Sequence, residues 1–420
     1  MLNCGKEHTN GVIHLNTGRI FTNDTCVGCN RCIQACPANE ANVAKLQSGK
    51  KKVYVDESKC INCCSCLQTC THNARDYADD AARFLADLQA GEEISLIVAP
   101  AIRTTVPDWQ KLLGCLKEKG VKVIYDASFG AEICTLVYLH YAKEHSGFIA
   151  SPCPAIVNYI EKYVPELISR LAPIQSPAIC AAVYMKKHEK ISGRLAFLSP
   201  CVAKADEFED PNTGRLIEYN VTFKKLLEIV DYKTYTPAEF DNPPVGLGAI
   251  YPAPGGLKSN IQRHVKDAWV YKTEGQPNIS AFLHEYVNVR TDSPLVLDAL
   301  SCYGGCNTGP GACHQAEIEI DKTIHALKKE TPQETLEINP SDFRRQYTPK
   351  KIMDTFVDRH DIEAAFAMLK KHSAEFRLTD CRFCGYKTCQ EMAVAVAKGI
   401  NHPLNCTDYM MNSLKENAHA

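Results

Sequence analysis

Residues 300–311 read LSCYGGCNTGPG, and they follow the apolar run SPLVLDAL at 293–300. A short apolar run closed by turn residues predicts a buried strand. Two thiols, Cys302 and Cys306, stand in the loop beyond it. A glycine-rich loop after a strand can cradle a phosphate, whereas two cysteines there can hold a metal.

The same arrangement recurs upstream. ISLIVAP at 94–100 and VKVIYDAS at 121–128 read as strands, with the helical stretch DWQKLLGCLKEKG between them. GFIA, RLAFLS and VGLGAIY read as further strands. Alternating strands and helices predict parallel sheets covered by helices. Three strands run into cysteines: GFIASP into Cys153, RLAFLSP into Cys201 and PLVLDALS into Cys302. The strand expected at VGLGAIY runs into the loop YPAPGGL. Ligands of open α/β sheets bind beyond the carboxyl ends of strands. These ends therefore predict one shared site with four thiols, Cys153, Cys201, Cys302 and Cys306, the number a cubane needs. The loop glycines are expected to let backbone pack close around a bulky cofactor. Each cysteine alone is more often a small buried hydrophobe.

The chain has 420 residues, 45% of them hydrophobic and 23% charged, with a formal net charge of −2. That describes a globular protein of two to four domains, with no basic excess to attract nucleic acid. The N-terminal stretch MLNCGKEHTN carries no apolar signal, and no run approaches the ~18 residues of a membrane span. A cytoplasmic protein is expected. Its 22 cysteines then point to metal or redox chemistry instead of disulfides.

Spacing supports this. CVGCNRCIQACP at 26–37 and CINCCSCLQTC at 60–70 each carry the C-x2-C-x2-C-x3-C run of two-cluster ferredoxins. Three cysteines of each run wrap one [4Fe–4S] cluster and the fourth crosses to the other. The expected ligand sets are Cys26, Cys29, Cys32 and Cys70, and Cys60, Cys63, Cys66 and Cys36. Zinc more usually takes two separated pairs. At the other end, CRFCGYKTC and, after sixteen intervening residues, a further cysteine offer Cys381, Cys384, Cys389 and Cys406. This spacing resembles small four-cysteine [4Fe–4S] domains of anaerobic electron-transfer proteins, including corrinoid iron–sulfur subunits, and zinc is the alternative. Upstream, DIEAAFAMLKKH puts Ile362, Ala365, Phe366 and Leu369 on one helical face. Residues 328–350 read as a connector.

SPCPAIV, SPCVAKADE and SCYGGCNTGPG, in that order behind a two-cluster module, resemble the three signature segments of the [FeFe]-hydrogenases. The resemblance implies an α/β hydrogenase H-domain at 81–350, flanked by an α+β ferredoxin-like domain at 1–80 and a small helical iron–sulfur domain at 351–420. It implies an H-cluster whose cubane is held by Cys153, Cys201, Cys302 and Cys306, with Cys306 bridging to a diiron subsite that carries CO, cyanide and a dithiolate. Lys204 would donate to a cyanide ligand, and Glu207 would orient Lys204. The bland alternative for Lys204 and Glu207 is a solvated surface pair. Implied partners are H2 and protons, a ferredoxin or other low-potential carrier, and maturation proteins for the diiron subsite.

The chain departs from catalytic members of that family along the proton wire. Their relay cysteine is Pro152 here, the relay glutamates fall at Tyr138 and Tyr141, and the relay serine falls at Ala172. Methionines that flank the cofactor are replaced by Ser199 and Leu300. Other groups for a proton route are Cys134, Cys180, Cys313, Glu132 and Asp206. Three functions are open on these residues: a hydrogenase with another proton route, a slow H2 or redox sensor that signals through a partner, and a cubane-only scaffold. Retention of Lys204, Glu207 and Cys306 weighs against the third.

Overall fold

In the computed structural model, described over residues 18–289, 294–329, 336–352 and 354–418, the chain divides into two units. One comprises 18–60, 65–77 and the segment after Lys350; the other comprises 61–64 and 78–350. The N-terminal stretch and residues 330–335 of the connector lie outside the described residues.

The first unit holds two small antiparallel pairs. Strands β1 (Ile20–Thr22) and β4 (Arg75–Tyr77) pair with each other, as do β2 (Asn42–Gln47) and β3 (Lys50–Val55). The β2–β3 turn is Ser48–Gly49, both at positive φ, which matches the twist of a two-residue hairpin. The C-terminal segment packs on this ferredoxin-like part. Lys45 Nζ donates to Gly399 O at 2.9 Å, Ala44 N to Ile400 O at 2.9 Å, and Lys398 pairs with both Glu40 and Asp354. Two segments read as separate domains from the sequence are thus one compact unit. The helix expected at DIEAAFAMLKKH is Arg359–Met368, opened by a capping box from Asp358 and Asp361, with Ala365, Phe366 and Leu369 buried.

The second unit contains two parallel sheets. One has the order β6 (Ile124–Asp126), β5 (Ile94–Val98), β8 (Arg194–Ser199), β9 (Tyr219–Thr222). The other has the order β10 (Val270–Glu274), β11 (Val296–Leu300), β7 (Phe148–Ile149). Strands β5 and β11 are buried at every residue, as a parallel sheet covered on both faces requires. Helices Trp109–Glu118, Ala127–Tyr141 and Pro177–Lys187 supply the cover in the first sheet's core. A second core, with Ile156, Ile160, Ile279 and Leu283, lies against β7 and β11.

One expected strand is absent. Residues Leu247–Ile250 of VGLGAIY form a 3₁₀ turn. The backbone there is satisfied by side chains and not by a neighbouring strand. Gly248 N donates to Glu132 Oε1 at 2.8 Å, and Asn260 Nδ2 donates to Leu247 O at 2.9 Å. Strand β9, which the sequence reading did not single out, takes the fourth place in the first sheet.

Candidate active site

The carboxyl ends of β7, β8 and β11 deliver Cys153, Cys201 and Cys302 to one cavity, and Cys306 follows on the loop after β11. The loop is bolted to its neighbours through backbone. Cys306 N donates to Pro252 O at 2.8 Å and Gly311 N to Pro200 O at 2.9 Å. A Cβ at Gly305 would stand 2.2 Å from Pro252 O, and one at Gly309 would stand 2.5 Å from Pro200 O. At these two positions glycine serves the close approach of loop to loop.

Space in the cavity is a second observation. Five cysteines, Cys63, Cys153, Cys201, Cys302 and Cys306, line a space of ≈ 1000 Å³ not filled by protein atoms, its open mouth included. The two small cavities of the first unit are each lined by four cysteines. Cys26, Cys29, Cys32 and Cys70 line one of ≈ 320 Å³; Cys381, Cys384, Cys389 and Cys406 line one of ≈ 300 Å³. With one thiol more, the central site has about three times the space (≈ 1000 against ≈ 300 and ≈ 320 Å³). The remaining set is placed in part: Cys63 lines the central cavity, while Cys36, Cys60 and Cys66 belong to the first unit.

Electrostatics favour sulfur bound to a cationic core. Burial pushes the Cys201 thiol up to about 12, with the neighbouring Cys153 adding to it. Burial also raises Cys153, Cys302 and Cys306, and the neighbouring thiols add to the rise in Cys302 and Cys306. Four such thiols lose their protons only when a metal supplies compensating charge. Helices Pro154–Tyr163 and Pro177–Lys187 both begin at the cavity wall, each with proline in its first turn, a placement that suits an anionic group in the cavity.

Lys204 is in the wall and Glu207 is buried behind it. The lysine donates to Ser176 Oγ at 3.0 Å, to Pro152 O at 3.3 Å and to Glu207. This buried pair is not the solvated surface pair that the sequence allowed. Glu207 is held in turn by Arg345, Nη1 to Oε1 at 2.8 Å, and Arg345 also binds Asp210 at 2.9 Å. Arg345 and Asp210 were not legible as site residues. They lie 138 and 3 residues from Glu207 with no shared motif.

The expected proton groups do not reach the cavity. Cys134 and Cys180 both donate to Gln175 O at 3.4 Å inside the core. Asp206 is tied to Asn62 and Asn158 at 2.8 and 2.7 Å, and Glu132 accepts from Gly248. Cys313 packs, half-buried, against the main core. Tyr138 OH accepts from Ser151 N at 2.9 Å. None of these lines the cavity, and among the described residues that do, Asp298 is the one carboxylate. Burial pushes its carboxyl from 3.8 up to about 7 against the pull of Lys258 N–H and Lys272.

A folded pKa above the unfolded one means the folded chain holds the proton more tightly. The stability that this gives is complete below about pH 4 and lost as pH rises to about 7. Asp298→Asn is therefore expected to match the wild type near pH 4 and to exceed it above pH 7 by up to about 4 kcal/mol. Apparent Tm measured across that range checks the slope.

A positive side chain also stands beside each cavity of the first unit. Arg75 Nη2 donates to Cys32 Sγ at 3.2 Å, and buried Lys371, paired with Asp408, lines the C-terminal site. Cys70 accepts from Ala74 N at 3.3 Å; burial raises this thiol, but backbone N–H groups of His72, Ala74 and Arg75 outweigh that and hold it below its ordinary value. Replacing Cys389 with serine is expected to cost the C-terminal centre its iron and leave the others loaded. Iron per chain together with low-temperature electron paramagnetic resonance reads this.

The model of the iron-only hydrogenase large subunit, C-terminal domain, matches residues 92–310, about half of the chain. A 4Fe–4S dicluster domain matches 19–71, and an Fe–S cluster segment matches 379–407. The chain belongs to the iron-only hydrogenase large-subunit family, and its central unit has the mixed α/β fold of the hydrogenase H-domain. It is an iron–sulfur protein of oxidoreductase type. Similar solved structures include an [FeFe]-hydrogenase studied for oxygen inactivation through its H-cluster 2Fe subcluster, at 16% identity, 66% of this chain, 100% of that chain and TM-score 0.49. Another is a single-residue variant of [FeFe]-hydrogenase HydA1 from Chlamydomonas reinhardtii, at 15% identity, 66% and 100% coverage and TM-score 0.49. Comparison with curated proteins gives no match. No helix among the described residues is long and apolar enough to cross a membrane.

Proposed function

We propose that the protein interconverts H2 with protons and electrons at an H-cluster held in the central cavity. The observation that carries this is the cavity's size: the four strand-end cysteines suit a cubane, and the space beyond that of the two smaller four-cysteine cavities suits a diiron subsite beside it. Cys153, Cys201, Cys302 and Cys306 would hold the cubane, with Cys306 reaching the diiron subsite. When bound, the H-cluster would supply an iron site for H2.

The residues of the chain do the rest. Lys204, fixed by Ser176, Glu207 and Pro152 O, presents an ammonium to an anionic ligand, and a charge-assisted bond of this kind is roughly twice as strong as a neutral one. The wall is rich in alanine and proline, a setting of low polarity that strengthens such an interaction. Three further [4Fe–4S] clusters, on the cysteine sets at 26–70 and 381–406, would carry electrons to or from a ferredoxin or another low-potential carrier. Dedicated maturation proteins would install the diiron subsite in the cytoplasm.

A second reading, a slow H2 or redox sensor acting through a partner, is favoured by Pro152, which stands in the wall without a transferable proton. Turnover with a viologen dye under anaerobic conditions separates the two. It is normalised to diiron subsites counted by their infrared CO and cyanide bands. A rate per loaded site in the ordinary enzyme range of about 1–10³ s⁻¹ supports the enzyme. A rate orders of magnitude lower supports the sensor.

A further inference from the structure

We propose that Asp298 is the gate through which protons cross the wall of the central cavity, with Glu274 as the next carrier toward solvent. This rests on the hydrogenase reading above and adds the proton route that reading lacks.

A relay needs groups that exchange protons and a continuous path between them. Pro152 and Ala172 have no proton to exchange, and Tyr138 OH is committed to Ser151 N. Among the ionisable groups in the cavity wall other than thiols, Lys204 is locked in its ion pair and Tyr251 is a phenol whose proton burial holds tightly. Asp298 is left. It is 3% exposed, and its Oδ2 has no hydrogen-bond partner.

Asp298 also lines a second cavity of ≈ 490 Å³ with Lys272, Thr273 and Glu274. The sheet explains why. Strands β10 and β11 are parallel, with Lys272 opposite Asp298 and Glu274 opposite Leu300. Side chains two apart share a face, so Lys272, Glu274, Asp298 and Leu300 point the same way. Glu274 Oε2 is likewise buried with no partner. One carboxyl oxygen thus remains uncommitted on each of two acids bordering the same space, one acid also lining the cofactor cavity.

Asp298 has a carboxyl pushed up to about 7, mainly by burial, so it takes and releases a proton near neutral pH. The charged groups that bear on it are Lys258, through its N–H, Lys272 and Glu274, with Cys306 and Tyr251 on the cavity side.

Oxidation of one H2 yields two electrons, which leave through the clusters, and two protons, which leave one at a time. The Asp298 carboxylate takes each proton, becomes the acid, and hands it to the Glu274 carboxylate. Glu274 then releases it to water in the second cavity, restoring both carboxylates. H2 evolution runs the same transfers in reverse.

The test uses full-length protein as wild type, Asp298→Asn, Asp298→Glu and Glu274→Gln. Turnover is measured per loaded diiron subsite, with the solvent isotope effect. Asp298→Asn is expected to lose about 10²-fold or more with unchanged CO and cyanide bands, and to show a larger isotope effect. Asp298→Glu should restore part of the rate, and Glu274→Gln should lie between. A second readout needs no diiron subsite. In protein made without maturation proteins, infrared difference spectra should show a carboxylic acid C=O band that titrates near neutral pH and is lost in Asp298→Asn. Wild-type turnover in Asp298→Asn, or no such band in the wild type, overturns the relay. A wild type that takes up no diiron subsite after maturation overturns the hydrogenase reading instead, and the titrating band tells that failure from a failure of the relay.

Discussion

Cys306→Ala is expected to abolish H2 turnover and to remove the CO and cyanide infrared bands, while the clusters of the first unit stay loaded. The effect should be chemical and not a collapse of the loop. Cys306 N still donates to Pro252 O, Gly309 N still donates to Cys306 O, and neither bond involves the side chain. What disappears is the ligand proposed to reach both parts of the cofactor. Lys204→Met supplies the graded comparison. It removes a donor to the cofactor and not a ligand, so a loss of about 10–100-fold is expected, with cyanide bands shifted. If Cys306→Ala keeps its infrared bands, the ligand assignment is wrong.

Arg345→Met is expected to cost about 3–5 kcal/mol, the usual result of leaving buried charge without its partner. Arg345 is 3% exposed, and its two bonded carboxylates, Glu207 and Asp210, are 2% and 9% exposed. Lys204 still answers Glu207, but nothing charged then answers Asp210. Burial raises the Asp210 carboxyl, yet the Asn212 N–H and Arg345 outweigh this and hold it below its ordinary value. A lowered carboxyl contributes stability above its unfolded pKa and loses it on acidification, so the cost of the substitution should shrink below about pH 4. The half-life of the folded chain toward protease at neutral pH reads the loss, and Arg345→Lys should recover part of it. A neutral substitution would mean that this network positions nothing.

Much of the site was legible because its thiols follow strands whose apolar runs are unmistakable. Cys201 and Cys302 leave β8 and β11 where SPCVAKADE and SCYGGCNTGPG place them, and spacing alone grouped Cys26 with Cys70's run and Cys381 with Cys406. Residues 245–251 misled because Val245, Leu247 and Ile250 look like a strand, whereas Glu132 and Asn260 capture the backbone from other elements. Such tertiary hydrogen bonds leave no local trace. Arg345 was out of reach for the same reason. Asp298 carried a signal that went unread: a single acid in the middle of PLVLDAL, a strand buried at every residue, has to have a purpose or a partner.

The central cavity is proposed to hold more than a cubane. Infrared spectroscopy of protein produced with the maturation machinery tests it most directly. CO and cyanide stretching bands that vanish in Cys306→Ala are the predicted result. A fully matured protein with iron in all of its cubanes and no such bands would contradict it.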